Sequence, residues 1–226
     1  MTAIRILHVD DEPDIREVVE LSLALNPDFE VRSCGSGAEA VAIAAEWSPF
    51  IILLDVMMPG MDGPTTLAQL RNNPRTADIP VLFMTARAQA REVERFISLG
   101  AHGVISKPFD PMTLPFQVRS HLQAARMESM RGVFRRRARS DIAQLESCRS
   151  SLVQEPSPEA LSRLRTIAHG LAGAAGLFGF ERISSDAAAL EDVVLAKGST
   201  HDVTRALDDL VAVMKDEWDA PPAAVA

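Results

Sequence analysis

The sequence predicts two folds in series: an α/β doubly wound five-stranded parallel sheet, followed by an all-α four-helix bundle. Up to about residue 125, short apolar runs alternate with amphipathic stretches, which is typical of a parallel sheet covered by helices on both faces. Beyond that point strand-like runs stop, and apolar residues recur at spacings of three and four, as they do along packed helices. The chain has 226 residues, enough for two ordinary domains that each bury a core.

The first half is predicted to contain strands and helices in alternation. The apolar runs predict strands near 4–9, 29–33, 50–54, 80–84 and 103–105. The amphipathic stretches predict helices near 13–26, 36–47, 64–71 and 89–99, and a last helix from Pro111 onward. This order of elements is the one that a parallel sheet requires.

The second half is predicted to form four helices, near 128–153, 158–178, 180–197 and 200–218. A Pro-Ser-Pro segment, Gly179 and a Lys-Gly-Ser segment separate them. Ser157 before Pro158, with Glu159 just after, is a typical helix start, because serine caps the first turn and proline is tolerated there. Four antiparallel helices joined by short loops form a bundle.

These elements place the domains at 1–125 for the sheet and 126–220 for the bundle, with a disordered Ala/Pro-rich tail at 221–226. The sequence leaves open whether the helix that ends the first half continues into the next helix or bends at the join. Gly132 is the only weak helix breaker near that join.

Composition narrows the class of protein. Hydrophobic residues make up 47% of the chain and charged residues 24%, as in soluble globular proteins, and the net charge of -8 argues against nucleic acid as a partner. Cys34 and Cys148 are far apart and follow no metal-ligand spacing, so we expect reduced thiols in the cytoplasm. No apolar run approaches the roughly 18 residues that cross a bilayer, so no membrane insertion is expected.

Polar side chains follow four of the predicted strands. Asp55 ends a run of five apolar residues, where a carboxylate is costly to desolvate unless it is paired or bound to a cation. The other three strands run into Asp10 and Asp11, into Thr85, and into Lys107. Because the carboxyl ends of parallel strands meet at one edge of a sheet, these side chains should converge. That edge is the predicted functional site.

The residue types at this edge suit phosphoryl chemistry. Clustered carboxylates repel one another and raise each other's pKa unless a divalent cation lies among them, and oxygen ligands in an incomplete cage favour Mg²⁺. A carboxylate beside Mg²⁺ can attack phosphorus and form an acyl phosphate. Lys107 would offset the charge on the phosphoryl oxygens, and Thr85 would donate a hydrogen bond to one of them. Taken singly, each residue is an ordinary turn, strand-end or loop residue; their combination indicates a site.

The segment from Ile4 to about Ala125 resembles the receiver domain of two-component response regulators, which has a flavodoxin-like fold. The resemblance rests on Asp10-Asp11, the LLDVMMPGMDG string around Asp55, Met84-Thr85-Ala86 and Lys107-Pro108-Phe109. It covers slightly more than half of the chain.

This resemblance implies a role for each residue of the site. Asp55 is the phosphoacceptor, and Thr85 and Lys107 bind the phosphoryl group. The implied magnesium ligands are Asp11, Asp55, the Met57 carbonyl and, through water, Asp10. The Lys107–Pro108 peptide bond is expected to be cis. Val104 stands where receivers generally have Tyr or Phe, so phosphorylation is expected to survive while the usual aromatic readout is in doubt.

The helix near 158–178 carries one histidine away from its apolar stripe. At about 100° per residue, that stripe consists of Leu164, Ile167, Ala168, Leu171, Ala175 and Phe178. His169 lies roughly 150° from its centre, and its outward face is shared by Ser162, Thr166, Gly173 and Gly176. Each glycine inside a helix costs about 1 kcal/mol relative to alanine. The glycines either leave a flat surface for another protein to approach the imidazole or serve as packing points for neighbouring helices.

From about residue 128 to 218 the chain resembles a histidine phosphotransfer (Hpt) domain. The matching residues are His169-Gly170-Leu171-Ala172-Gly173, Gly179 at the helix end and Leu190-Glu191 on the next helix. The resemblance implies that His169 is a phosphoacceptor and that Gly173 lets a receiver approach. Ala172 replaces the lysine that supports the phosphoryl group in the family, and Arg165, one turn before His169, could substitute for it.

One basic cluster lies at 131–139. It could be an arm for nucleic acid, or it could be a solvated face or a partner of acidic residues within the chain, such as those of the last helix. The cluster is short and lacks a recognised DNA-binding motif, which favours the last two interpretations.

The two resemblances together predict a phosphorelay protein that is a phosphoryl carrier rather than an enzyme in the ordinary sense. Asp55 and His169 would exchange phosphoryl groups with sensor histidine kinases or other receivers, in either direction. The alternative is a phosphorylation-controlled adaptor whose bundle binds a kinase or regulator without carrying phosphate, which Ala172 and Val104 support. A hydrolase of the haloacid dehalogenase type fits poorly, because Met57 stands where its second acid is needed.

Overall fold

The computed structural model of the chain describes residues 3–86, 89–154 and 157–219. The chain divides into two units, one ending at Arg126 and the other beginning at Met127. The predicted disordered tail at 221–226 lies outside the described residues.

The first unit contains a five-stranded parallel sheet with the strand order β2-β1-β3-β4-β5. Its strands are β1 (Ile4–Val9), β2 (Phe29–Cys34), β3 (Ile51–Asp55), β4 (Val81–Thr85) and β5 (Gly103–Ser106). The connecting helices are α1 (Pro13–Ala24), α2 (Gly37–Trp47), α3 (Gly63–Asn72) and α4 (Ala90–Ser98). The strand order reverses between β1 and β3, which confirms the doubly wound prediction and opens a crevice at their carboxyl ends.

Strands β3 and β4 are buried at every residue, because helices cover both faces of the sheet. Alternate residues therefore enter two cores. Leu54 and Phe83 belong to one, and Leu53 and Leu82 belong to the other. The continuous apolar runs in the sequence reflect this double burial.

The start of α3 is packed against the end of β3. Asp62 caps the helix by accepting a hydrogen bond from the Thr65 amide at 2.8 Å. A Cβ at Gly63 would lie 2.5 Å from the carbonyl oxygen of Asp55, so a side chain cannot be accommodated without moving the backbone. The glycine thus allows the helix to begin directly behind the predicted phosphoacceptor.

The second unit is helical. Its helices are the later part of α5 (Leu114–Gln154), then α6 (Pro158–Leu177), α7 (Glu181–Leu195) and α8 (Thr200–Asp219). Helix α5 includes Gly132, so that glycine does not end a helix. The helix begins later than Pro111 because residues 110–113 form a turn, in which Asp110 accepts a hydrogen bond from the Met112 amide at 2.9 Å.

The core of the second unit draws on all four helices. The predicted stripe of α6 is confirmed: Leu164, Ala168, Leu171 and Ala175 are buried, and Ile167 and Phe178 are partly buried against the same cluster. Ser157 caps this helix as predicted, accepting a hydrogen bond from the Ala160 amide at 3.1 Å. Within the described ranges, no helix is long and apolar enough to cross a membrane.

Two arginines of the basic cluster are engaged within the second unit. The guanidinium groups of Arg131 and Arg135 lie 5.5 Å from the centre of the Phe180 ring, and Arg131 Nε donates to the Phe178 carbonyl at 2.7 Å. Both also lie within 4.0 Å of Glu128. The intramolecular partners of these two arginines are therefore Glu128 and the turn before α7. The described ion pairs between α5 and α8 join Arg149 to Asp208 and Glu146 to Lys215 instead.

Candidate functional site

Lys107 joins two of the predicted site carboxylates. Its Nζ donates to Asp10 Oδ2 at 2.6 Å and also donates to Asp55 Oδ1. Asp10 follows β1, Asp55 ends β3 and Lys107 follows β5, so the ends of three strands meet here. The predicted convergence at the carboxyl edge of the sheet is confirmed for these three side chains.

The two carboxylates are buried and each has a second hydrogen bond from the backbone. Asp10 is fully buried and Asp55 is 6% exposed. The Met57 amide donates to Asp55 Oδ2 at 2.7 Å, and the Glu12 amide donates to Asp10 Oδ1 at 3.0 Å. Both carboxylates are therefore held in fixed orientations, each with one oxygen toward Lys107.

The pKa values of Asp55 and Lys107 are shifted by burial and by their attraction to each other. Burial raises the pKa of Asp55 above its ordinary value, and the hydrogen bond and charge of Lys107 offset that rise only in part. Burial alone would lower the pKa of Lys107, but the hydrogen bonds and charges of Asp10 and Asp55 raise it overall. A perturbed carboxylate with a specific cationic partner in a crevice is characteristic of a functional site.

Thr85 lies at the end of the neighbouring strand. It is the last residue of β4, is 6% exposed, and follows Met84, the register partner of Asp55. The Lys107 amide donates to the Thr85 carbonyl at 2.8 Å, which joins β4 to the segment that carries the ammonium group. The Lys107–Pro108 peptide bond is cis, as the resemblance implied.

The predicted metal ligands consist of oxygen donors. Asp11 is partly exposed and Asp55 is buried, whereas Met57 is 80% exposed and its amide donates a hydrogen bond to Asp55. In the part of the chain that the structure describes, no group of three His, Cys, Asp or Glu side chains is placed to hold a metal. Two carboxylates and a backbone carbonyl still form a donor set that suits a hard divalent cation, and the assignment to Mg²⁺ stays a prediction.

Val104 takes the place of the usual receiver aromatic. It is partly buried and packs against the core cluster that contains Phe83 and Phe96, whose ring centres are 4.8 Å apart. Phe83 lies on β4 and Phe96 on α4, so this ring pair comes from elements other than β5.

Two residues beside the site were missed by the sequence analysis. Arg16 Nη1 donates to the carbonyls of Asp10 at 2.7 Å and Asp11 at 3.1 Å. His8 is fully buried, with Nε2 3.9 Å from Asp10 Oδ2, and neither ring nitrogen has a hydrogen-bond partner among the described residues. Burial, with smaller effects of nearby charges, lowers the pKa of His8 to about 4, so the ring is neutral near pH 7. The position of His8 inside a mostly apolar strand could have identified it in the sequence.

A second candidate site is on α6, in the second unit. The side chain of His169 is 77% exposed, and its Nδ1 lies 3.1 Å from both carboxylate oxygens of Glu191 on α7. Because a carboxylate only accepts hydrogen bonds, Nδ1 carries the proton, and in the neutral ring Nε2 keeps its lone pair. The predicted outward orientation of His169 is confirmed. The sequence matched Glu191 to the Hpt motif but did not predict its contact with His169.

The glycines around His169 differ in their surroundings. A Cβ at Gly170 or Gly173 would meet nothing within 4 Å, so the helix surface is open there. A Cβ at Gly176 would lie 3.1 Å from Ser184 Oγ on α7, so Gly176 is exposed, as predicted, and is also a packing point for the neighbouring helix. Ala172 is partly buried against the core, whereas Arg165 is exposed.

Family models match both units. The model of the response regulator receiver domain matches residues 6–119, which is half of the chain. The chain belongs to the response regulator receiver family. The model of the Hpt domain matches residues 129–220, so the receiver is followed by an Hpt domain.

Known relatives support the receiver assignment. The chain is 37% identical over 119 residues to the DNA-binding dual master transcriptional regulator RpaA of Synechocystis sp., covering 53% of this chain and 49% of that one. It is 36% identical over 129 residues to the response regulator Rre1 of the same organism, covering 57% and 56%. The chain thus spans about half the length of these curated relatives. The solved chemotaxis response regulator CheY4 of Vibrio cholerae is 30% identical with a TM-score of 0.50, covering 54% of this chain and 99% of that one.

Proposed function

We propose that this receiver–Hpt protein is a phosphorelay protein with two phosphoryl-carrying residues, Asp55 and His169. The proposal is supported by the surroundings of the two side chains. Asp55 is a buried carboxylate beside the ammonium group of Lys107, and His169 is an exposed imidazole whose Nδ1 is engaged by Glu191. Sensor histidine kinases and other receivers are the partners, and the cytoplasm is the expected compartment.

At the receiver, an Asp55 oxygen attacks the phosphorus of a phosphohistidine donor. A bond forms between that oxygen and phosphorus while the bond between phosphorus and the donor imidazole breaks, and the imidazole leaves with the electron pair. Lys107 is within reach to move its hydrogen bond from Asp55 to a phosphoryl oxygen, and Thr85 is beside it. Asp11, Asp55 and the Met57 carbonyl would hold Mg²⁺, with Asp10 reaching it through water; when bound, the ion supplies further neutralisation of phosphoryl charge.

At the Hpt domain, His169 Nε2 is the nucleophile. Glu191 fixes the proton on Nδ1 and the orientation of the ring, so the lone pair on Nε2 remains available to a partner's acyl phosphate. The open surface over Gly170 and Gly173 allows that partner to approach closely. Arg165 is the cation available where the family has lysine at the position of Ala172.

The adaptor alternative is not favoured. It relied on the replacement of a lysine by Ala172 and of an aromatic by Val104. Neither replacement removes a phosphoacceptor, and the exposed histidine retains a partner that sets its tautomer.

Phosphoramidate, a small donor that can phosphorylate both aspartate and histidine, provides the test. The full chain is incubated with phosphoramidate and Mg²⁺, and the phosphorylated residues are mapped by mass spectrometry in wild type, Asp55→Asn and His169→Gln. We expect each variant to lose one phosphoryl group and keep the other. Phosphorylation at neither residue would contradict the proposal. Phosphorylation of Asp55 without phosphorylation of His169 would favour the adaptor alternative for the Hpt domain.

A further inference from the structure

Arg16 connects helix α1 to the loop that carries the acidic pair of the receiver. Its Nη1 donates to the carbonyl oxygen of Asp10 at 2.7 Å and to that of Asp11 at 3.1 Å. A single nitrogen therefore joins the peptide groups of both acidic residues. The guanidinium also lies against the backbone of the next loop, since a Cβ at Gly35 would be 3.5 Å from Nη1.

The two acidic residues differ in what else holds them. The Asp10 amide donates to the Cys34 carbonyl at 3.1 Å, and its carboxylate is held by the Glu12 amide and by Lys107. For Asp11, the structure describes one hydrogen bond, and its donor is Arg16. Asp11 is also partly exposed, so neighbouring side chains restrict it less than they restrict Asp10.

We propose that Arg16 is a positioning residue for the divalent cation at the receiver site. By fixing the backbone from which the Asp10 and Asp11 carboxylates extend, it reduces the ordering that cation binding would otherwise have to impose. The inference rests on the proposed function, because it takes Asp11 as a cation ligand. Groups that orient metal ligands without touching the metal typically change metal affinity by about 10 to 100-fold when they are removed.

The sign of the effect separates positioning from simple electrostatics. A positive charge near a cation site repels the cation, so losing the charge of Arg16 would by itself tighten Mg²⁺ binding. Losing the positioning contact would weaken it. Arg16→Met is therefore expected to raise the Mg²⁺ dissociation constant by about tenfold, in spite of the charge that it removes.

The experiment is a titration of the full chain with Mg²⁺ alone, followed through the ¹⁵N–¹H resonances of Asp11 and Met57. Arg91→Met is the matched control, since it removes the same charge from an exposed position on α4, and it should bind within about twofold of wild type. Arg16→Lys keeps the charge, but its ammonium group is one bond nearer the backbone than Arg16 Nη1 and cannot take the same place, so this variant should bind Mg²⁺ more weakly than wild type. With acetyl phosphate as donor, Arg16→Met should need more Mg²⁺ for half-maximal labelling of Asp55 yet approach the wild-type rate at saturation.

Unchanged or tighter Mg²⁺ binding by Arg16→Met would overturn the inference, as would full wild-type affinity in Arg16→Lys. Thermal unfolding of each variant shows whether it is folded, and if Arg16→Met is not, Arg16→Lys alone decides. A wild-type chain that binds no Mg²⁺ contradicts the proposed metal together with this inference. If wild type binds Mg²⁺ and Arg16→Met binds it with the same affinity, only the role of Arg16 is contradicted.

Discussion

His169 Nδ1 lies 3.1 Å from each carboxylate oxygen of Glu191, so one acidic side chain on α7 determines which nitrogen of the exposed imidazole carries the proton. Glu191→Ala should free the ring and allow the other tautomer. Because the histidine is largely exposed, we expect a modest fall of about fivefold in the rate of phosphorylation of His169.

The tautomer itself can be measured by ¹⁵N chemical shifts of the His169 ring. Wild type should show a protonated Nδ1 at a pH where the ring is neutral, and Glu191→Ala should show mainly a protonated Nε2, the form preferred by a free imidazole. Asp192→Ala is the control, since Asp192 is an exposed carboxylate next in sequence. Equal effects of the two substitutions would assign the change to charge rather than to the hydrogen bond.

Arg165 is predicted to do part of the work of the lysine that Ala172 replaces. Arg165→Ala should slow transfer to and from His169 by about two- to fivefold, the size expected of an exposed ionic interaction. Adding Ala172→Lys should restore the rate, because a lysine can extend its ammonium group to solvent from a partly buried position. Arg163→Ala, two residues earlier, is the control. A failure of the lysine to restore the rate would leave Arg165 without this role.

The open surface at Gly173 should matter for protein partners and not for small donors. Gly173→Leu meets no atom within 4 Å of the added Cβ, so the bundle should stay folded and gain somewhat less than about 1 kcal/mol of helix stability. Transfer from a phosphorylated receiver should fall by tenfold or more, on the order of 1.4 kcal/mol, whereas labelling by phosphoramidate should be unchanged. An equal fall with both donors would place the defect in the imidazole rather than in docking.

Lys107 should stabilise the receiver most at neutral pH. Lys107→Met leaves Asp10 and Asp55 facing each other, which should cost about 3 kcal/mol of unfolding free energy. The folded-state pKa of Asp55 is raised, so its buried charge is lost as the pH falls through that raised value, and the penalty should shrink at acidic pH. The pKa of Lys107 is raised as well, so its contribution in wild type should be lost only as the pH rises through that value.

Urea unfolding of the receiver can be followed through Trp47, which is buried in that unit, in a Trp218→Phe background. Asp55→Asn should recover most of the stability lost by Lys107→Met. A penalty for Lys107→Met that grows as the pH is lowered would contradict the assigned direction of the Asp55 pKa.

The receiver site could be predicted from the sequence because the topology of the sheet determines where its residues lie. Once the strands are parallel, the residues that follow them must meet at one edge, so the convergence of Asp10, Asp55 and Lys107 needs no knowledge of side-chain detail. The outward direction of His169 was likewise fixed by the helical period.

Contacts between different elements could not be read in the same way. A helical wheel gives the outward direction of Gly176, which is exposed, but not the presence of Ser184 on the next helix, against which this glycine packs. The contact of Arg16 depends on how a long side chain folds back over its own helix start, and an arginine on the first helix of the sequence reads as a surface residue.

The central claim is that one chain carries two phosphoryl acceptors, and phosphotransfer from radiolabelled histidine kinases tests it most directly. Label on Asp55 is an acyl phosphate that hydroxylamine removes, whereas label on His169 is lost in acid and survives in base. We predict that wild type acquires both kinds of label in the presence of its partner proteins, Asp55→Asn loses the first, and His169→Gln loses the second. Label that persists unchanged in the double variant, or a wild type that takes up none from any kinase or receiver partner, would contradict the claim.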